Sequence, residues 1–253
     1  YMTLGGIKLM VATTNTLSLS KNKILAALPA DEYTHLLPYL EEVEISRGEI
    51  LSRPDEQIRY VYFPHDGSLS VVSMMENGSG IEVGVIGNEG MSGLPLVLGT
   101  NSAPLQVIAQ AAVSAARIRA GAFGDEINKC GEFYRLLLRY GQAFFIQTAQ
   151  NAACNRLHKL DERLARWLLM CRDRAKSDTL ELTHEFLAVM LGVRRAGVSV
   201  TANKLQADGL ISYNRGHINI IDRQRLEAAT CECYAVVKKE FARLLHNYTL
   251  SVG

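Results

Sequence analysis

The chain has 253 residues, with 27 Lys plus Arg against 26 Asp plus Glu and a formal net charge of +1. That balance excludes a histone-like polybasic binder and an acidic solubilising protein. At 48% hydrophobic and 21% charged the composition is that of a globular chain with one large or two modest domains, and no apolar run approaches the ~18 residues of a membrane span.

The charge is unevenly placed. Residues 1–151 carry 11 basic and 15 acidic side chains, a net of −4; residues 152–253 carry 16 and 11, a net of +5. Such asymmetry is a compositional pointer to a nucleic-acid partner. The five cysteines (Cys130, Cys154, Cys171, Cys231, Cys233) are odd in number and include no C-x-x-C. They fit a reduced, cytoplasmic protein better than a disulfide scaffold. Leu4 to Val11 is mildly apolar but no small-residue cleavage pattern follows it, so no leader is expected.

In chain order, Asn22 to Leu28 reads as a short helix, and a second opens at Pro29-Ala30-Asp31-Glu32 with Asp31 as N-cap. From Glu41 to about Arg119 short β-branched segments alternate with turns. Ser68–Met75 and Ile81–Ile86 form a predicted hairpin around Asn77-Gly78. Further breaks fall at Arg47-Gly48, Pro64–Gly67, Gly87–Gly90 and Gly99–Asn101. The roughly ten-residue spacing predicts an antiparallel sandwich or jelly roll. From about Gly124 the period becomes helical for some thirty residues, with Phe133, Leu137, Tyr140, Phe144, Gln147, Asn151 and Cys154 in a heptad seam. A dimer partner is the natural cover for it; the other arrangement is a helix lying across its own β domain. Asp161 then caps a helix from Glu162 to Arg174.

The segment that carries the chemistry follows. Thr183 is the N-cap of a helix His184–Leu191, which Gly192 ends; Arg195 to Ala207 forms a second helix, Gly209 ends that, and Ile211–Ile221 reads as a small hairpin. Helix, tight turn, helix and wing is the winged helix-turn-helix pattern. Between Leu187 and Gln206 there are three basic residues, Arg194, Arg195 and Lys204, and no acidic one. Arginines at the leading end of a recognition helix can bond guanine O6 and N7 bidentately. Ser199 lies one turn on, while Lys204, Asn203 and the Thr183 hydroxyl suit phosphate oxygens; Arg215 and His217 sit on the wing. A last helix is expected from Asp222 towards His246.

On these residues, Leu182–Asp222 resembles the winged-helix domain of the cyclic-AMP receptor protein and fumarate–nitrate regulator (Crp/Fnr) superfamily. The turn-rich segment containing Gly87-Asn88-Glu89-Gly90, the long helix and Leu160-Asp161 at a hinge extend the likeness to about residues 20–245. The resemblance implies an α+β chain: a cyclic-nucleotide-binding-like β-roll (20–124), a dimerisation helix and hinge (125–160) and a winged helix-turn-helix (161–247). It also implies a homodimer on double-stranded, pseudo-palindromic DNA, with half-sites roughly 34 Å apart, and possible contact with RNA polymerase. The dimer interface is expected at Phe133, Leu137, Tyr140, Phe144, Gln147 and Asn151.

Two departures matter. In relatives that bind cyclic nucleotides, a Gly-Glu pair contacts the ribose and a later arginine holds the cyclic phosphate. Here Gly87, Glu89 and Gly90 stand near the first, with Asn88 interrupting the Gly-Glu pair. The second reads Thr100-Asn101-Ser102-Ala103-Pro104, without arginine, and between Arg59 and Arg117 there is neither Lys nor Arg. A buried phosphodiester without a cation is costly, so cyclic AMP is not expected to bind. Ser102, Ala103, Gln150 and Asn151 complete the effector candidates. The β-roll takes a less charged ligand, a protein contact or nothing; a cyclic-nucleotide-responsive activator and a constitutive DNA binder are the competing readings. In the reading helix, the family's Arg-Glu-(x)3-Arg pattern is Arg195, Ala196 and Val200, so the operator should differ from the family's best-known site. No enzyme constellation and no cofactor are expected. Nor is a metal site: the histidines lack ligand spacing, and Cys231 and Cys233, two apart on one helix, would point away from each other.

Overall fold

The computed structural model describes residues 21–175 and 177–245. The readings of Leu4–Val11, of residue 20 and of residues 246–247 lie outside these. Asn22 caps α1 (Lys23–Ala26) through the N–H groups of Ile24 and Leu25, and its amide donates to the carbonyls of Pro64 and Gly90. One buried side chain thus starts a helix and fastens it to the β-roll. α2 (Ala30–Leu36) has Pro29 at its N-cap, so the expected Asp31 cap is corrected: Asp31 lies in the first turn, where its charge suits the helix dipole. A 3-10 turn, Leu37–Tyr39, leads into the sheet region.

The β-roll comprises β1 (Glu41–Ile45), β2 (Ile50–Ser52), β3 (Tyr60–Pro64), β4 (Leu69–Met74) and β5 (Gly80–Ile86), then α3 (Leu94–Val97), β6 (Gln106–Ala109) and β7 (Val113–Arg119). Two antiparallel sheets form, β1-β7-β3 and β2-β6-β4-β5. The β4–β5 hairpin pairs Leu69 with Ile86 and Met74 with Gly80 around the Asn77-Gly78 turn, as the sequence predicts.

The expected helix from Gly124 is two helices, α4 (Ala120–Ile127) and α5 (Glu132–Leu157). Cys130 adopts a left-handed φ of 53° and breaks them. Gly131 offers α5 no capping side chain; Glu32 of α2 supplies one, accepting the N–H groups of Glu132 and Phe133 at 2.8 and 2.7 Å. A cap a hundred residues away is not readable locally.

α6 (Leu160–Ala175), β8 (Thr179–Glu181), α7 (His184–Leu191), α8 (Arg195–Ala207), β9 (Ile211–Asn214) and β10 (His217–Ile220) complete the helix-turn-helix and its wing. The wing has three strands, ordered β8-β10-β9, one more than the hairpin read from sequence. The last predicted helix is also divided, into α9 (Arg223–Ala228) and α10 (Cys233–Leu245). The main hydrophobic core runs from Phe63, Phe123 and Phe133 through Trp167 and Leu168 of α6 to Leu205 and Ile218, and a second one, with Ile45, Leu69, Val71, Ile86 and Val113, fills the β-roll.

Candidate functional site

The two helices of the reading unit are built as their sequence dictates. The Thr183 hydroxyl accepts the N–H of Phe186 at 3.2 Å and starts α7. Gly192 ends it with φ 62°, and a Cβ there would meet Ile81 of β5 at 2.6 Å. Glycine therefore serves both the left-handed turn and the contact between α7 and the β-roll. On α8, Val198, Ala202 and Leu205 are buried, while Arg194, Arg195, Ala196, Val200, Asn203 and Lys204 are exposed on one side. Val200 is 71% exposed, unusual for a β-branched apolar residue with a core alongside.

Polar groups around α8 constrain it from three directions. Arg195 lies 3.5 Å from Glu185. His184 bonds the Ser199 hydroxyl through Nδ1 at 2.9 Å and stacks on Tyr213 of the wing, ring centroids 4.1 Å apart. Ser199 is thus a half-buried positioning group between helix and wing. Burial, then the Arg195 charge, holds the His184 imidazole below its usual pKa. Lys204 is ion-paired with Asp161 of α6, which lowers the Asp161 pKa, so a phosphate must compete for that ammonium. Arg215 and His217 are exposed at the wing tip. Arg215 and Gly216 both have positive φ, 46° and 86°, in the two-residue turn joining Asn214 to His217.

The effector candidates do not converge. A cavity of about 190 Å³ opens between β-roll, α3 and α5, walled by Tyr62, Val71, Ile86, Leu94, Val107 and Phe144. Of the expected residues only Ala103 lines it. Arg53, from the connection after β2, and Glu56 also line it, both exposed. Glu89 faces away and pairs with Arg174 of α6 at 2.6 Å, both side chains about nine-tenths buried. Gly87 lies against that arginine, and Gly90 against Tyr140, where a Cβ would come within 2.5 Å of either side chain. Gln150 donates to the Cys233 sulfur, and Asn151 donates to the Val83 carbonyl and accepts from Arg166. Ser102 is half-buried outside the cavity lining. The expected set Gly87, Glu89, Gly90, Gln150 and Asn151 is therefore committed to contacts between β-roll, helices and reading domain.

Residues 42–130 match the cyclic nucleotide-binding domain family, and residues 162–229 match the Crp-like helix-turn-helix domain family. The chain belongs to the Crp/Fnr type of transcription regulator. A comparison of the sequence with curated proteins gives no match. Among solved structures, similarity extends to a protein from Eubacterium rectale described as a Crp/Fnr-family transcriptional regulator (TM-score 0.64, 19% identity, 80% of this chain and 94% of that one). It extends also to the c-di-GMP-responsive global regulator CLP of Xanthomonas campestris (0.62, 16%, 77% and 100%) and to FixK2 of Bradyrhizobium japonicum (0.61, 18%, 76% and 98%). At these identities the likeness is one of fold.

In this Crp/Fnr chain the predicted dimer seam needs correction. Phe133, Leu137, Tyr140, Gln147 and Asn151 are buried within their own chain, and Phe144 is half-buried against Gly84 of β5. The Tyr140 hydroxyl donates to the Met91 carbonyl at 2.9 Å, and Gln147 bonds both backbone groups of Val85. The polar half of the seam reads the β5 edge. The exposed stripe lies opposite: Leu138, Gln142, Phe145, Ala149 and Ala152, again stepping by four and three.

Two groups were missed by sequence. Glu82, fully buried, accepts from Ser70 at 2.6 Å, Gln110 at 2.7 Å and Trp167 Nε1 at 2.8 Å, tying β4, β5 and β6 to α6. Burial raises its carboxyl to about 7 against these hydrogen bonds and the Arg166 charge. Cys231 and Cys233 do not share a helix: Cys231 lies in the turn before α10, so their side chains converge with Cys154 and His158. The C-x-C at a helix start and the Cys154-(x)3-His158 spacing at a helix end were the available signals.

Proposed function

We propose that the chain is a homodimeric, cytoplasmic, DNA-binding transcription regulator, not an enzyme, whose β-roll responds to an uncharged, largely apolar small molecule and not to cyclic AMP. The division into sensor, helix and reading domain near residues 124 and 160 belongs to this reading. The observation that carries it is the exposed side of α8, with Arg194, Arg195, Ala196, Val200 and Asn203 facing outward beside the wing. Arginine supplies guanine recognition and the Ala196–Val200 pair supplies apolar contact for thymine methyl groups. Thr183, Asn203, Lys204, Arg215 and His217 serve the phosphates, and Ser199 orients the helix. Contact with RNA polymerase follows from the regulator class.

Against cyclic AMP stands the cavity wall. Its cation, Arg53, is solvent-exposed beside Glu56, so a buried cyclic phosphate would meet apolar side chains with no buried counter-charge. Homodimerisation is assigned to the Leu138–Ala152 stripe, because Phe145 is 66% exposed among the described residues.

Gel-shift selection on genomic fragments tests the DNA reading. Arg195→Ala is expected to cost about 1–3 kcal/mol at particular base pairs, whereas Lys204→Ala weakens specific and scrambled DNA alike. Equal losses for both variants on both DNAs would remove the base-reading role of Arg195. Calorimetric titration with cyclic AMP is expected to give no heat of binding; a micromolar isotherm overturns that part.

A further inference from the structure

Away from the reading face and the cavity, four metal-ligating side chains meet at one point. Cys154 and His158 stand one turn apart at the C-terminal end of α5, and Cys231 and Cys233 flank Glu232 in the turn entering α10. Cys154 Sγ lies 3.5 Å from Cys231 Sγ, Cys233 Sγ lies 3.5 Å from His158 Nδ1, and all four ligand atoms fall within 4.8 Å of one another. The three cysteines are buried as a small cluster of their own, apart from the main core.

We propose that Cys154, His158, Cys231 and Cys233 bind one zinc ion in a closed, structural site that clamps α10 of the reading domain to the end of α5. The spacing fits: with Zn–S near 2.3 Å, tetrahedral geometry sets the sulfurs about 3.8 Å apart. Polynuclear iron–sulfur clusters spread their thiolates around several metal atoms and need wider separations. A Cys154–Cys231 disulfide would use two of the four groups and leave Cys233 and His158 without a purpose. With all four positions filled by protein, none remains for water or substrate, which is the mark of a structural site.

The surroundings match what such a site requires. The His158 ring presents Nδ1 to the sulfurs while Nε2 faces the Glu232 carboxylate at 3.2 Å, the arrangement that fixes a ligating imidazole. Gln150 donates to the Cys233 sulfur at 3.1 Å. Three thiolates and one imidazole around Zn²⁺ carry a net charge of −1, and Arg163 and Arg166 lie within electrostatic reach of Cys154. Binding releases the thiol protons and stabilises only the folded arrangement, in which α5 and α10 are together.

The test is the metal content of the intact chain, with release by a mercurial into a chromophoric chelator, and the spectrum after Co(II) replacement. The expected result is one zinc per chain, plus thiolate-to-cobalt charge transfer and intense tetrahedral visible bands. Cys130→Ser, at an exposed cysteine outside the site, retains both, and Cys233→Ser loses at least about tenfold in metal affinity. Freshly isolated protein without stoichiometric zinc that gives no thiolate–cobalt absorption overturns the proposal. So does a Cys154–Cys231 disulfide in that protein, or the broad visible absorption of an iron–sulfur cluster. If Cys233→Ser fails to fold, the content and cobalt spectrum of the unaltered chain still decide.

Discussion

At the scale of single residues, the sharpest features are groups held where their chemistry is unfavourable. Glu82 is buried with its carboxyl raised from 4.5 to about 7, burial outweighing the hydrogen bonds from Ser70, Trp167 and Gln110. The unfolded chain releases this proton near 4.5 and the folded chain near 7, so in that window the folded state holds more protons. Its contribution to stability is therefore full below pH 4.5 and is lost as pH rises towards about 7. Thermal unfolding of Glu82→Gln should lose this part of the pH dependence; a profile unchanged from the parent would place the carboxyl's titration elsewhere. Arg215 makes the second case. A side chain with φ 46° at an exposed turn is strained, and asparagine tolerates that conformation better. Arg215→Asn is expected to gain about 0.5–1 kcal/mol in denaturant unfolding while lowering DNA affinity and the salt slope by about one. A gain in stability with DNA affinity intact would take Arg215 out of the interface.

At the scale of elements, α5 shows how much of the fold was legible and where legibility stopped. Its heptad period, the Asn77-Gly78 hairpin and the Thr183 and Gly192 helix boundaries are local signals, and each is found where the sequence places it. What period cannot tell is which neighbour covers a seam. Phe133 to Asn151 face their own sheet because Gln147 and Asn151 can satisfy the exposed backbone of β5 at Val85 and Val83. The break at Cys130 and the cap from Glu32 depend on α2, a hundred residues away, and the convergence of the cysteines depends on the break between α9 and α10. The cap leaves no local trace, and the spacings of Cys154 with His158 and of Cys231 with Cys233 mark two ligand pairs without showing that the pairs meet. In the proposed dimer the opposite stripe of α5 forms the interface. Phe145→Arg should weaken self-association by about 2 kcal/mol or more, read by sedimentation, and leave circular dichroism unchanged. A dimer as tight as the parent's would move the interface off α5.

At the scale of the whole molecule, α6 joins the β-roll to the helix-turn-helix, together with α7 against β5 and α10 against α5. It is buried on nearly every side, and its Trp167 and Arg174 reach into the β-roll at Glu82 and Glu89. The chain then runs from α6 into β8, α7 and α8, so in the proposed regulator a reorientation of the helix-turn-helix that moves α6 would strain these two contacts. The same continuity makes one core of two domains, from Phe63 to Ile218. Calorimetry should accordingly record one cooperative transition for the full chain, since separating the domains would expose Trp167 and Leu168 together. Arg174→Ala strands the Glu89 carboxylate in a buried place and should cost about 3–5 kcal/mol. Replacing both partners, Arg174→Met with Glu89→Gln, should recover most of that loss, because the penalty lies in the unpaired charge more than in the missing bond. Two separate transitions in the unaltered protein, or an Arg174→Ala chain within about 0.5 kcal/mol of it, would mean that α6 and its Glu89–Arg174 pair do not couple the β-roll to the helix-turn-helix.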